Sequence, residues 1–205
     1  MGRIVSLLHR AGLNRPAFFS LAARGAQSAT ALVTIAFVGR FLTLDSQGYY
    51  YAILSFVAFV MLGEFGLNYA VMQSASHEAA GPAASGAASR DERVRSRLRA
   101  LLSGATRFTA YTTSLAVMVV AVIGTRTFVG TRGPGLPSDT WAGPWALAIL
   151  AVAATQQLAP RFALLEGSGG AAAVWRFRLQ QELVIAAVLW TGLALGLGLW
   201  SVGLA

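Results

Sequence analysis

Five polar residues in the first third of the chain have the types and spacing to do chemistry: Arg24, Gln27, Arg40, Glu64 and Asn68. Glu64 is the sharpest anomaly, because apolar sequence flanks it on both sides. A charged side chain at mid-membrane depth costs about 2.5–3.5 kcal/mol on insertion scales, so it normally faces a bundle interior or a watery cavity. If the two apolar runs around residue 45 form a hairpin, counting back from Asp45 brings Glu64 level with Gln27 and one turn from Arg24. A Glu64–Arg24 ion pair or a Glu64–Gln27 hydrogen bond would then lower the burial cost, and Asn68 would extend the polar line. Ser20, Arg24, Gln27, Ser28 and Thr34 fall on one broad helical face. Two readings of that face stand side by side. One is a polar seam that bonds helices across the membrane; the other is a hydrophilic cavity for a polar or anionic headgroup. Arg40 either snorkels to the outer headgroups or pairs with a substrate phosphate. Gln156, Gln157, Gln180, Gln181 and Glu182 could add to a cavity or to helix packing.

The elements that must hold these residues are apolar runs. The chain has 205 residues, 56% hydrophobic and 12% charged, against roughly 25% charged in a soluble domain. Five runs, residues 18–44, 49–73, 108–129, 145–162 and 183–203, approach or exceed the 20 or so residues that cross about 30 Å of hydrocarbon. The expected fold is an all-α polytopic bundle in a single transmembrane domain, with the first two spans as a tight hairpin. All 16 basic residues are Arg. Most fall before the first run, between the second and third, or between the fourth and fifth, and only Arg40, Arg126 and Arg132 fall on the other side. By the positive-inside rule the N-terminus is cytoplasmic. Residues 90–102 read as a basic amphipathic helix at the inner surface, with Val94, Leu98, Leu101 and Leu102 at helical spacing. Residues 1–15 read as an amphipathic lead-in at the same interface.

The connecting segments carry their own signals. Tyr49, Tyr50 and Tyr51 suit an outer aromatic belt, and Trp141 and Trp145 suit anchors for the fourth span. Residues 130–144 read as a polar loop without regular structure, Pro160 as the end or kink of the fourth span, and residues 77–89 as flexible. Gly192 and Gly196 make a GxxxG spacing.

Several function classes are excluded or weakened. A net charge of +8 does not indicate nucleic acid, because the arginines are not interleaved with stacking aromatics on a soluble face. There is no Cys, hence no disulfide or thiolate chemistry. His9 and His77 are the only histidines, no acidic pair is spaced for a metal, and no P-loop, nucleophile elbow or zinc motif occurs. The expectation is no enzyme and no cofactor.

The stretch GRFLTLDSQGYYYAILSFVAFVMLGEFGLNYAVMQSASHE, residues 39–78, resembles bacterial polysaccharide and O-antigen flippases of the Wzx type, in the multidrug/oligosaccharidyl-lipid/polysaccharide exporter superfamily. In that family an Arg-containing turn closes the first span and a Gly-Tyr pair follows, matched by Arg40, Gly48 and Tyr49. An acidic-x-Gly-Leu element in the second span is matched by Glu64, Gly66 and Leu67. LLEGSG at 164–169 and GLGLW at 196–200 resemble its fourth and fifth spans. The resemblance implies an inner-membrane, multi-pass protein that moves a lipid-linked oligosaccharide, carried on polyprenyl pyrophosphate, through a central cationic cavity served by Arg24 and Arg40. Family members have about twelve to fourteen spans, so five imply an incomplete N-terminal lobe. A truncated chain, or one that assembles with a second lobe or another copy of itself, is then expected. The competing expectation is a non-transporting structural or interaction protein of the envelope polysaccharide machinery. A membrane-embedded glycosyl- or phosphotransferase is the weakest class, because acids are sparse.

Overall fold

The computed structural model describes residues 15–80, 87–130 and 136–205. The expected lead-in over residues 1–14, residues 81–86 of the expected flexible stretch and the Gly133-Pro134-Gly135 loop lie outside the described residues. The described residues are helical throughout their elements, with no strand among them. In chain order the helices are α1 (Arg15–Phe41), α2 (Leu44–Leu62), α3 (Leu67–Ala80), α4 (Ala87–Gly130), α5 (Ser138–Leu165), α6 (Ala171–Ala194) and α7 (Trp200–Leu204), with a π-helical turn Glu166–Gly170 between α5 and α6. Three stretches are long and apolar enough to cross a membrane: Arg15–Phe41, Glu92–Gly130 and the kinked Ser138–Ala194. The bent pair α2 and α3 makes a fourth if it is one span.

Four expectations about the elements change. First, α1 and α2 meet end to end but do not pack as a hairpin. Thr43 caps α2 by accepting the Ser46 amide at 3.3 Å, and the chain turns in two residues. α1 then lies along α6. Thr30 Oγ1 donates to Glu182 Oε1 at 2.6 Å, Trp190 Nε1 donates to Thr34 Oγ1 at 2.9 Å, and Phe37 stacks on Trp190 at 5.6 Å. These side chains hold α1 to α6 because hydroxyl and carboxylate partners replace the water that apolar surroundings withhold.

Second, the expected 49–73 span is broken. Residues 63–66 form a turn, and α2 and α3 meet at a 44° bend. Phe65 has φ of 45° and Gly66 φ of 75°, both left-handed. Gly66 takes that conformation freely, whereas Phe65 carries strain of about 1–2 kcal/mol. Phe65 is 82% exposed, so packing does not hold it there. A β-branched residue fits this conformation worst. Phe65→Val is therefore expected to lower stability by about 1 kcal/mol, while Phe65→Gly does not lower it. Thermal unfolding of the purified chain reads both.

Third, the basic 90–102 helix is not a separate surface element. It is the start of the 44-residue α4 and runs unbroken into the span. At 1.5 Å per residue α4 is about 66 Å long, about twice the hydrocarbon thickness. Its Arg97 pairs with Glu78 of α3 at 3.2 Å.

Fourth, the fifth run stops early. α6 ends at Ala194, Gly196 and Gly198 take φ of 79° and 57°, and α7 folds back. A Cβ on Gly192 would sit 2.8 Å from the Ser201 Cβ. The GxxxG spacing thus serves a turn and a close approach within the chain, not one continuous helix face. Pro160 does not end the fourth run either: α5 continues to Leu165 and breaks where Gly169 takes φ of 99°. Regular structure already begins at Ser138, inside the segment expected as loop.

The core is at one end of the bundle, away from the Arg-rich end. Val38 of α1, Leu42 just after it, Tyr49, Tyr50, Ile53 and Val60 of α2, Val120 and Phe128 of α4, Trp141, Trp145, Ala148, Ile149 and Val152 of α5 and Leu189 and Leu193 of α6 form one cluster. Trp141 and Trp145 are 5% and 4% exposed. They pack on Phe128 at 5.1 and 5.3 Å and do not face a headgroup belt. Of the three tyrosines only Tyr51 is exposed. A large ring buried on neighbours removes more apolar area from water than one left at an interface. A smaller cluster of Val71, Ala105 and Ala163 joins α3, α4 and α5 near the opposite end.

Candidate functional site

Between the α1–α6 pair and the α2–α3–α5 wall lies a cleft of about 800 Å³. Its lining runs from Met61 to Met72, from Thr155 to Glu166 and from Trp175 to Ile185, with Ala23, Arg24 and Gln27 opposite. Eleven helical residues span about 16 Å, so the cleft reaches roughly half the depth of a bilayer core. It ends where Val38, Leu42, Leu189 and Leu193 join the core cluster.

Four of the five sequence-derived candidates meet here. Arg24, Gln27, Glu64 and Asn68 all line the cleft. Arg40 does not: it is exposed in the last turn of α1, sixteen residues and about 24 Å along the helix from Arg24. The expected direct contacts also differ. Among the described residues no ion pair or hydrogen bond joins Glu64 to Arg24 or Gln27. Glu64 instead accepts a short hydrogen bond from Asn68 Nδ2. The hairpin that would have set Glu64 against Arg24 does not pack, so the two face each other across open space.

The helix break explains why Glu64 sits where it does. Leu67 N–H bonds Glu64 O at 2.9 Å and Ala70 N–H bonds Gly66 O at 3.2 Å. The amides of Asn68 and Tyr69 are left without a helical acceptor, as in any first turn. A carboxylate beside that turn complements the partial positive charge of the α3 N-terminus. Across the cleft wall, Val71 packs in one cluster with Ala163, and Gly167 abuts Met72 and Ala75. α3 and α5 run the same way, and Glu64 and Gln156, each earlier in its chain segment than these contacts, both line the cleft. Gln156 is 2% exposed and lines the cleft, and its side-chain amide makes no hydrogen bond among the described residues. Pro160 supplies no amide to the Gln156 carbonyl.

Residues near the π-helical turn form the other polar group. Trp175 Nε1 donates to Glu166 Oε1 at 2.8 Å. Arg178 pairs with Glu166 at 3.7 Å and sits over the Trp175 ring at 4.7 Å. Arg24, arriving from α1, is 5.9 Å from the same ring. Arginine favours such placements because its flat, weakly hydrated guanidinium stacks on aromatic faces while its edge stays available to an oxyanion. Arg24 has no carboxylate within 4 Å among the described residues. Apart from Arg24, this group is not among the candidates that the sequence offers. The i,i+3 spacing of Trp175 and Arg178 was the available signal; their approach to Glu166 and Arg24 was not visible.

The lining is not cationic overall. It holds Arg24 and Arg178 against Glu64, Glu166 and Glu182, which departs from the cationic cavity that the family resemblance implies. Its rim is apolar and open: Met61, Leu158 and Phe177 line it and remain 49%, 43% and 47% exposed. Fold and cleft together define a class, a helical bundle with several helices able to cross a membrane and a polar recess at their depth. Comparison with protein-family models, curated proteins and solved structures finds no match to the chain.

Proposed function

We propose that the chain is a transporter of the flippase kind, which takes the polar headgroup of a lipid-linked oligosaccharide into the cleft while the lipid stays outside. The observation that carries this reading is the union, in one recess, of a polar floor and an open apolar rim. Polar residues that only glued helices together would be sealed in contacts, as Thr30 is. Arg24, Gln27 and Gln181 are exposed in the cleft instead. An amphiphile satisfies both surfaces at once: its phosphate meets Arg24 and Arg178, and its chain lies along Met61, Leu158 and Phe177. In this reading the membrane is a bacterial inner membrane and the Arg-rich end is cytoplasmic, so the cleft opens inward. A second copy of the chain supplies the opposing body that alternating access needs. Arg40, on the far helix end, serves the outer headgroups. The sealed α1–α6 seam favours the other reading, a structural membrane protein of the same machinery, only for that seam.

Proteoliposomes carrying a fluorescent polyprenyl-pyrophosphate disaccharide test the proposal through loss of protection from an impermeant quencher. The expected result is transbilayer movement with the wild-type chain and at least tenfold slower movement with Arg24→Ala. Equal rates for wild type, variant and protein-free vesicles overturn it.

A further inference from the structure

We infer that Glu64, Asn68 and Gln156 form a receptor for a protonated primary amine on the headgroup, which makes the ligand zwitterionic. The inference rests on the cleft being a headgroup site, and it says which headgroup.

Three groups that line the cleft lack what an ammonium supplies. The Glu64 carboxylate has no cation within 4 Å among the described residues, although Glu166 has Arg178. Asn68 donates its Nδ2 to Glu64, and this fixes the amide, because the flipped form would set oxygen against carboxylate. Its Oδ1 is then buried and without a donor among the described residues. A buried acceptor left unmatched is uncommon and calls for a partner. Gln156 is nearly fully buried with its amide unused, so a third oxygen is at hand. The deficit is of donors and of positive charge together.

The count decides between cations. An ammonium carries three donors and no acceptor, which matches one carboxylate and two amide oxygens. A hard metal ion gathers six or more oxygens, and no cluster of three His, Cys, Asp or Glu occurs among the described residues. A quaternary ammonium has charge but no N–H, so it leaves Asn68 Oδ1 unmatched. The two arginines stand on the α1–α6 side and the amine receptor on the α2–α3–α5 side. The cleft is thus divided into a half for an oxyanion and a half for an amine. This division accounts for Glu64, the carboxylate that stands apart from both arginines, whereas Glu166 is held by Arg178 and Glu182 by Thr30.

Calorimetric titration of the detergent-solubilised full chain tests this with glucosamine, its neutral counterpart N-acetylglucosamine, and sodium chloride against choline chloride. Glucosamine is expected to bind at least tenfold more tightly than N-acetylglucosamine. Glu64→Gln is expected to remove that preference while binding of farnesyl pyrophosphate persists. Gln156→Glu, which adds a carboxylate, is expected to tighten glucosamine at least threefold and guards against a Glu64 variant that fails to fold. Equal binding of the two sugars, an unchanged preference in Glu64→Gln, or no tightening in Gln156→Glu overturns the inference. So does sodium saturating a Glu64-dependent site that glucosamine does not share. A Glu64-dependent glucosamine preference in a chain that moves no lipid supports the receptor and leaves only the transport reading to fall.

Discussion

Gly167→Ala is expected to destabilise the folded chain by about 1–3 kcal/mol, the range for forcing extra volume into a packed site. A Cβ at Gly167 would land on the carbonyl oxygen of Met72 and lie 2.8 Å from the Ala75 Cβ. The obstacle is α3 backbone, which cannot rotate away as a side-chain tip can. Gly167 also sits in the π-helical turn, where any displacement moves Glu166 and, through it, Trp175 and Arg178. The loss should appear as a lower unfolding midpoint and as reduced quenching contrast at Trp175. Gly25→Ala is the control: nothing lies within 4 Å of its added Cβ, and exchange of Gly for Ala in a helix is favourable by roughly 1 kcal/mol. Equal midpoints for Gly167→Ala and wild type would refute the close approach of the turn to α3.

Arg24→Ala is expected to weaken farnesyl pyrophosphate binding by about 10- to 100-fold. That corresponds to the loss of charge-assisted hydrogen bonds worth about 1.5–3 kcal/mol. Arg24 is the cleaner of the two arginines to remove, because it leaves no carboxylate unpaired. Arg178→Ala also releases Glu166, which keeps Trp175 as a donor but adds an uncompensated negative charge beside the oxyanion, so its effect should be larger. Arg24→Lys should recover only part of the loss, since an ammonium lacks the planar two-point grip on phosphate. Arg40→Ala should leave binding unchanged, because it lies outside the cleft. Binding by Arg24→Ala at the wild-type level would remove Arg24 from the site.

Much of the bundle was legible in the chain. A carboxylate in an apolar run has few tolerable environments, so Glu64 by itself points to a recess, and Asn68 one turn on points the same way. Helical periodicity found residues 90–102 as helix but could not show that it continues into the span, because no capping or breaking residue separates them. The break at residues 63–66 was hidden for the opposite reason: two glycines in an apolar run are compatible with a helix, and only the left-handed Phe65 reveals the turn. The aromatic residues were misplaced because Tyr and Trp suit both a headgroup belt and a packed core, and composition does not choose between them.

The sequence alone determined what depends on counting along one strand of chain. Apolar runs of bilayer length, one-sided arginine and an acid inside the second run follow from local composition and from the energy of moving charge out of water. Which helices lie together was decided only in three dimensions. Adjacency in sequence suggested α1 against α2, but Thr30, Thr34 and Phe37 find their partners on α6, more than 140 residues away. That pairing leaves Glu64 apart from Arg24 and brings Arg24 to Trp175, which no spacing along the chain connects to it.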